Sequence, residues 1–149
     1  MKKPRILVLG IGNPGRRDDG LGAAAVERLR RRRLPGVSLD ADYQLNIEDA
    51  LAVARHDVVV FIDAARGLRR AFRFVPVRAG GTVPAMSHTL GPDAVLALAA
   101  ELYDRRPEAW VLAVRGHRWT LGEGLSDKAE ANLALALEFL VNFLKGVRP

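Results

Sequence analysis

The stretch VVVFI at residues 58–62 is an unbroken apolar run between the polar residues Asp57 and Asp63. A strand that is apolar on both faces belongs at the centre of a sheet with helices on each side. Weaker strand patterns, separated by helical ones, occur at residues 5–9, 37–41 and 110–114. This alternation predicts an α/β fold that forms a single three-layer domain over residues 1–149.

A fifth predicted strand differs from the others. Residues 71–77 alternate Phe72 and Phe74 with Arg73 and Val75, which is the pattern of an edge strand with one face in water. We expect this strand to run antiparallel in an otherwise parallel, twisted, five-stranded sheet with helices on both faces. The predicted helices cover approximately residues 18–32, 47–54, 92–103 and 127–145.

Composition narrows the chemistry that the chain can perform. The sequence contains no Cys, so disulfides, thiolate metal ligands and a cysteine nucleophile are excluded. The apolar run that follows the basic start covers only residues 6–9, which is too short for a signal peptide or a membrane span. We therefore expect a cytoplasmic protein without a membrane partner, whose chemistry uses oxygen and nitrogen groups.

The formal net charge of +6 raises the question of a nucleic-acid partner, because basic surfaces attract phosphate. The densest basic run, at residues 30–33, ends a predicted helix. Cations complement the helix dipole there and remain solvated. A charge run of this size specifies no partner by itself, and we expect no nucleic-acid partner.

Polar residues follow three of the predicted strands. The first strand leads into a glycine-rich loop with Asp18 and Asp19, the central strand into Asp63, and the edge strand into a loop with His88. Ligands of open α/β sheets bind beyond the carboxyl ends of the strands, so these side chains are candidates for one site. Two oxygen donors and one nitrogen donor suit a borderline divalent metal with open coordination positions. His117, after the last strand, is a further candidate.

Each of these residues also has a structural alternative. Asp18 and Asp19 could stabilise the start of a helix, and Asp63 could form turn hydrogen bonds. His88 alone is more often structural. A dinucleotide site also uses such glycines, but two carboxylates at the helix start would repel a pyrophosphate.

Four segments together carry a family resemblance. The opening ILVLGIGN at residues 6–13, followed by DDGLG at 18–22, resembles the G-x-G-N-x4-D-[DE]-x-x-G motif of hydrogenase maturation endopeptidases. VFIDA at 60–64, Ser87-His88 before a helix and GEGLS at 122–126 resemble the later signatures of that family. The resemblance therefore extends over essentially the whole chain.

In this family the corresponding residues bind nickel, which implies that Asp19, Asp63 and His88 are the metal-recognising residues here. Many relatives have Glu where this chain has the shorter Asp19, so the ligand type is kept while the metal distance changes. The group that activates water is not set by these motifs. We also expect the substrate to contact residues of the same loops, namely Gly12, Asn13, Asp18, Gln44, Asn46 and His117.

The resemblance implies an endopeptidase that removes the C-terminal extension of a [NiFe] hydrogenase large-subunit precursor after nickel insertion. The nickel arrives with the precursor and serves as the recognition element. We expect that zinc or another divalent ion can substitute for nickel in the isolated protein, because the site has mixed oxygen and nitrogen ligands. We expect the enzyme to act as a monomer. The identity of the client is open, because residues 43–46 replace a Gly-Thr-rich loop of some relatives.

Two alternatives belong to other functional classes. GIGNPG at residues 10–15 also resembles the G-L-G-N-P-G opening of peptidyl-tRNA hydrolases, which act as esterases on tRNA. Those enzymes place T-R-H-N-x-G soon afterwards, whereas this chain has Asp18 and Asp19 and no His there. The second alternative is a non-enzymatic adaptor that senses the metal of a partner without cutting it.

Overall fold

The computed structural model describes residues 2–81 and 90–147, in which five strands form a single sheet between two layers of helices. The strands are β1 (Ile6–Ile11), β2 (Val37–Asp42), β3 (Val58–Ala65), β4 (Phe72–Pro76) and β5 (Glu108–Arg115). The helices are α1 (Leu21–Arg32), α2 (Asp49–Ala54), α3 (Pro92–Tyr103) and α4 (Asp127–Gly146), and a 3-10 turn at Arg17–Gly20 precedes α1.

The strand order is β2-β1-β3-β5-β4. All neighbouring pairs are parallel except β4 and β5, which are antiparallel. The predicted α/β class, the central position of the apolar strand and the antiparallel edge strand are therefore confirmed. Because four strands end at the same side of the sheet, the loops after β1, β2, β3 and β5 share one edge, which we call the carboxyl edge.

Two apolar cores hold the layers together. Alternate residues of the central strand β3 enter each core, as the two-residue period of a strand requires. The first core joins the sheet to α1 and α4, and the second joins it to α2 and α3. No helix within the described residues is long and apolar enough to cross a membrane.

The central strand is longer than predicted, and this changes the position of one candidate residue. β3 continues to Ala65 because its neighbour β5 continues to Arg115 and pairs with it residue by residue. Asp63 therefore lies within the strand, opposite Ala113, and not in the loop behind it. Pairing with β5 fixes the backbone of Asp63, and only 2% of the residue is exposed.

The edge strand β4 is half-exposed, as predicted. Phe72 and Phe74 pack against the first core, where Phe74 stacks on Trp110 with a ring separation of 4.7 Å. Arg73, on the other face, is exposed. The aromatic contacts attach β4 firmly to β5 and α4, which fixes the position of the turn between β3 and β4 at the carboxyl edge.

Candidate metal-recognising site

Close backbone packing brings the start of α1 onto the carboxyl edge. A Cβ atom at Gly22 would lie 2.7 Å from the carbonyl oxygen of Ile62, so only glycine allows the helix to approach β3 this closely. Gly12 has a φ of 132°, and a side chain there would collide with the backbone oxygen of Asp19. These two glycines therefore place Asp19 directly over the end of β1, beside β3.

Asp19 is half-buried, and one of its two carboxylate oxygens is anchored. The backbone N–H of Asn13 donates to Oδ2 at 2.8 Å. Asn13 in turn accepts a hydrogen bond from the Gly15 N–H at 2.8 Å, which orders the loop. No donor within the described residues contacts Oδ1 of Asp19. This oxygen is thus available to a ligand while the other holds the carboxylate in position.

Asp63 supplies a second carboxylate at the same edge. Its Oδ1 accepts a hydrogen bond from the Ala64 N–H at 2.7 Å. Phe61 belongs to the second core, whereas Ile62 and Ala64 belong to the first. Since side chains alternate along a strand, that of Asp63 is directed to the layer of α2 and α3.

The third predicted metal ligand, His88, lies outside the described residues. Leu90, two residues later, packs against the second core, which is the core on the side of Asp63. Within residues 2–81 and 90–147, no three His, Asp or Glu side chains are grouped so that they could hold a metal ion. Asp19 and Asp63 thus offer oxygen ligands of the predicted type, and a metal there would need further ligands from elsewhere.

Asp18 is next to Asp19 but lies in the opposite environment. It is fully buried, and its carboxylate accepts four hydrogen bonds. The N–H groups of His117 (2.7 Å) and Arg118 (2.8 Å) and the hydroxyl of Ser126 (2.7 Å) donate to Oδ2, and the Ser126 N–H donates to Oδ1 at 2.7 Å. The carboxylate therefore joins the 3-10 turn to the loop between β5 and α4.

Two opposing influences act on the ionisation of Asp18. Burial alone would raise the pKa of its carboxyl group. The hydrogen bonds donated by Ser126, His117 and Arg118 outweigh burial and lower the pKa below its ordinary value. Asp18 is therefore a charged structural group, and its side chain does not cap α1, which begins without a side-chain capping bond.

The predicted substrate-binding residues of the β2–α2 loop are arranged differently from each other. Gln44 is exposed, whereas Asn46 is half-buried. The Asn46 amide donates to Asp42 at 3.1 Å, and its backbone N–H donates to Asp49 at 2.8 Å. The Asn46 Oδ1 is buried and has no hydrogen-bond partner within the described residues. Only Gln44 thus presents its polar group freely to the solvent.

His117 also lies at the carboxyl edge, directly after β5. The Asn132 side-chain nitrogen contacts both the Arg115 carbonyl oxygen at 2.9 Å and the His117 Nε2 at 3.2 Å. An amide nitrogen only donates, so the contact with His117 is a hydrogen bond in the tautomer whose Nε2 accepts. His117 is thus turned towards α4, on the face of the sheet opposite to that of Asp63.

Two residues that shape this edge were not among the sequence candidates for the site. Ser126 caps α4, where its hydroxyl oxygen accepts a hydrogen bond from the Ala129 N–H at 3.2 Å. Its additional bonds to Asp18 could not be inferred, because 108 positions separate the two residues. Asn132 carries no sequence signal for its role either, since it lies in the middle of a helical pattern.

Comparisons with known proteins agree on one family. The hydrogenase maturating endopeptidase HybD from E. coli has a TM-score of 0.77 and 25% identity, with 95% of this chain and 92% of that one covered. HycI, a [NiFe] hydrogenase maturation protease from Thermococcus kodakarensis KOD1, has a TM-score of 0.74 and 25% identity, with 97% and 94% covered.

The solution structure of an endopeptidase from Escherichia coli is similar to the same degree, with a TM-score of 0.78, 25% identity and 97% and 95% coverage. No family model matches the chain, and no curated protein is significantly similar to it. The shared fold spans nearly the full length of each pair. The chain is therefore similar in fold to hydrogenase maturation endopeptidases over nearly its whole length, which supports the resemblance seen in the sequence.

Proposed function

We propose that this protein is an endopeptidase that removes the C-terminal extension of a [NiFe] hydrogenase large-subunit precursor after nickel insertion. The observation that carries this proposal is the placement of two carboxylates at the carboxyl edge, Asp19 in the turn after β1 and Asp63 within the adjacent strand β3, in a fold shared with maturation proteases. The protein acts in the cytoplasm as a monomer, and its partner is the precursor.

The nickel that the site reads belongs to the precursor. Asp19, Asp63 and His88 bind it as three ligands of mixed oxygen and nitrogen type, which suits a borderline divalent ion. Zinc or another divalent ion substitutes for nickel in the isolated protein, because such ligands discriminate weakly between these metals.

Each part of the edge has a defined task in this proposal. A metal can polarise a scissile carbonyl group or lower the pKa of a bound water. Asn13 holds the Asp19 carboxylate through Oδ2, so that Oδ1 faces the client. Gly12, Gln44, Asn46 and His117 contact the substrate around it. Asp18, whose carboxylate is buried, assists substrate binding by holding the loop that carries His117.

The decisive experiment compares two forms of one purified precursor. The full-length protein is incubated with nickel-loaded precursor and, separately, with metal-free precursor. We expect a shortened large subunit from the first form alone. Equal cutting of both forms would contradict recognition through nickel. Binding without shortening would indicate an adaptor, and release of the peptide from peptidyl-tRNA would indicate the tRNA-directed alternative.

Variants of the ligand residues test the assignment of the site. Asp63→Asn and His88→Ala should abolish processing, with circular dichroism unchanged, because each removes a metal ligand. Matched controls come from the opposite end of the sheet, where Asp57 and His56 precede β3. Asp57→Asn and His56→Ala should leave processing intact. Full activity of Asp63→Asn or His88→Ala would remove that residue from the site.

A further inference from the structure

Two neighbouring turns at the carboxyl edge bring together arginines that are far apart in sequence. The turn after β3 carries Arg66, Arg69 and Arg70, and the end of β5 and the loop behind it carry Arg115 and Arg118. We call these five residues the arginine lip. All are exposed except Arg115, which is half-buried.

Several contacts hold the two turns side by side. The Arg66 guanidinium lies 4.2 Å from the ring centre of Trp119, a cation–π arrangement that orders the side chain. Arg115 Nη1 lies 3.5 Å from the Arg69 carbonyl oxygen. The Gly116 N–H donates to the Ala65 oxygen at 3.0 Å. These contacts fix the backbone of the two turns relative to each other.

The two turns that carry these arginines contain no acidic residue of their own. Residues 64–72 and 115–122 contain no Asp or Glu, and none of the five guanidinium groups forms an ion pair within the described part of the chain. Like charges that lie within a Debye length of about 10 Å repel one another. A cluster of unpaired guanidinium groups is suited to carboxylates of a partner, which they bind in a bidentate manner.

The lip is attached directly to the candidate site. Arg118 donates its backbone N–H to the Asp18 carboxylate and accepts from the Asp18 N–H at 2.9 Å. Asp19 follows Asp18 directly in sequence. Asp63 lies in β3, and Arg66 is the first residue after the end of that strand. The lip and the two candidate ligands therefore belong to the same carboxyl edge of the sheet.

The charge along the carboxyl edge distinguishes between classes of partner. At the far side, the exposed residues Asp40 and Asp42 near the end of β2 and Glu48 in the following loop are acidic. In the strand order β2-β1-β3-β5-β4 the edge thus changes from acidic to basic. A nucleic acid, which is uniformly negative, would be repelled by half of this edge. A protein segment that is acidic at one end only can place that end at the basic half and avoid this repulsion.

We propose that the arginine lip binds an acidic segment of the protein substrate and directs the adjoining part of that segment across Asp19 and Asp63. This inference rests on the proposed function for the identity of the partner, while the lip itself is defined by the structure. It also assigns a role to the charge of these five guanidinium groups, none of which forms an ion pair within the described residues.

A binding experiment tests the lip without reference to proteolysis. The probe is a short fluorescein-labelled peptide rich in Asp and Glu, compared with the same peptide carrying Asn and Gln instead. The lip variant is Arg66→Gln/Arg69→Gln/Arg70→Gln. Its control is Arg30→Gln/Arg31→Gln/Arg32→Gln, which removes the same charge from exposed positions at the opposite end of α1.

We expect the acidic peptide to bind the unaltered protein, and added salt to weaken this binding. The lip variant should bind about tenfold more weakly, and the control should not change. Equal binding of the amide peptide, an equal loss in the control, or displacement of the peptide by a short single-stranded RNA would overturn the proposal.

The processing assay then separates the two proposals. The lip variant should raise KM for nickel-loaded precursor about tenfold and leave kcat unchanged, since the lip touches no reacting atom. An unchanged KM would contradict the lip as a substrate surface even if processing is confirmed. If no form of the protein shortens the precursor, the proposed function fails, and the peptide measurement still decides whether the lip binds acidic chains.

Discussion

Asp18 and Asp19 are neighbours in sequence with the same side chain, yet the fold uses them in opposite ways. Asp18 is fully buried and accepts four hydrogen bonds from the loop between β5 and α4. Asp19 is half-buried and accepts one, from Asn13. The difference shows that a carboxylate whose acceptors are all engaged stabilises the fold, whereas one with an unengaged oxygen remains available for a ligand.

The largest expected effect comes from Asp18→Asn. The amide has one acceptor oxygen and places N–H groups against donors of the loop, so buried N–H groups of His117, Arg118 or Ser126 lose their partner. The free energy of unfolding should fall by about 3 kcal/mol. Chemical denaturation of the variant and the unaltered protein measures this value. A change as small as that of Asp19→Asn would contradict the structural role of Asp18.

The identical change at the adjacent position should affect activity instead. Asp19→Asn keeps an acceptor for the Asn13 N–H, so stability should change by less than about 1 kcal/mol. Processing of nickel-loaded precursor should fall about a hundredfold, because an amide is a poorer metal ligand than a carboxylate. Single-turnover cleavage measures the loss, and Asp57→Asn again serves as the control. Normal processing by this variant would exclude Asp19 from metal recognition.

A smaller effect should appear as a dependence on pH. Since the pKa of Asp18 is lowered in the folded protein, the unfolded chain binds the proton more readily. The stabilisation by Asp18 is therefore fully present above the ordinary value of 3.8 and is lost as the pH falls below it. The difference in unfolding free energy between the unaltered protein and Asp18→Asn should narrow in that range. A difference that grows on acidification would show the opposite sign of shift.

Much of the fold follows from local patterns. The apolar run of β3 predicted its central position, and the alternation around Arg73 predicted an antiparallel edge strand. The end of β3 was placed too early, because Asp63 was read as the boundary of an apolar run. Pairing with β5 extends the strand past this residue, and such pairing depends on a partner that is distant in sequence.

The distribution of charge over the surface could be inferred only in part from the sequence. The visible basic run at residues 30–33 lies at the end of α1, where it is solvated. The arginine lip is less evident, because Arg66 and Arg118 belong to different loops and meet only through the pairing of β3 with β5. The sequence alone gives the net charge of the chain. The concentration of positive charge at one edge of the sheet depends on the strand order.

The sequence by itself determined the fold class, the acidic pair after β1 and the Asp of β3, because strand periodicity and glycine spacing are local properties. Only the tertiary structure distinguished Asp18 from Asp19 and assembled the arginine lip. Asp18 meets Ser126 across 108 positions, and two equal side chains acquire different roles solely through the donors that surround them. Hydrogen bonds and charges act through space, and the distances on which they depend exist only after the strands have paired.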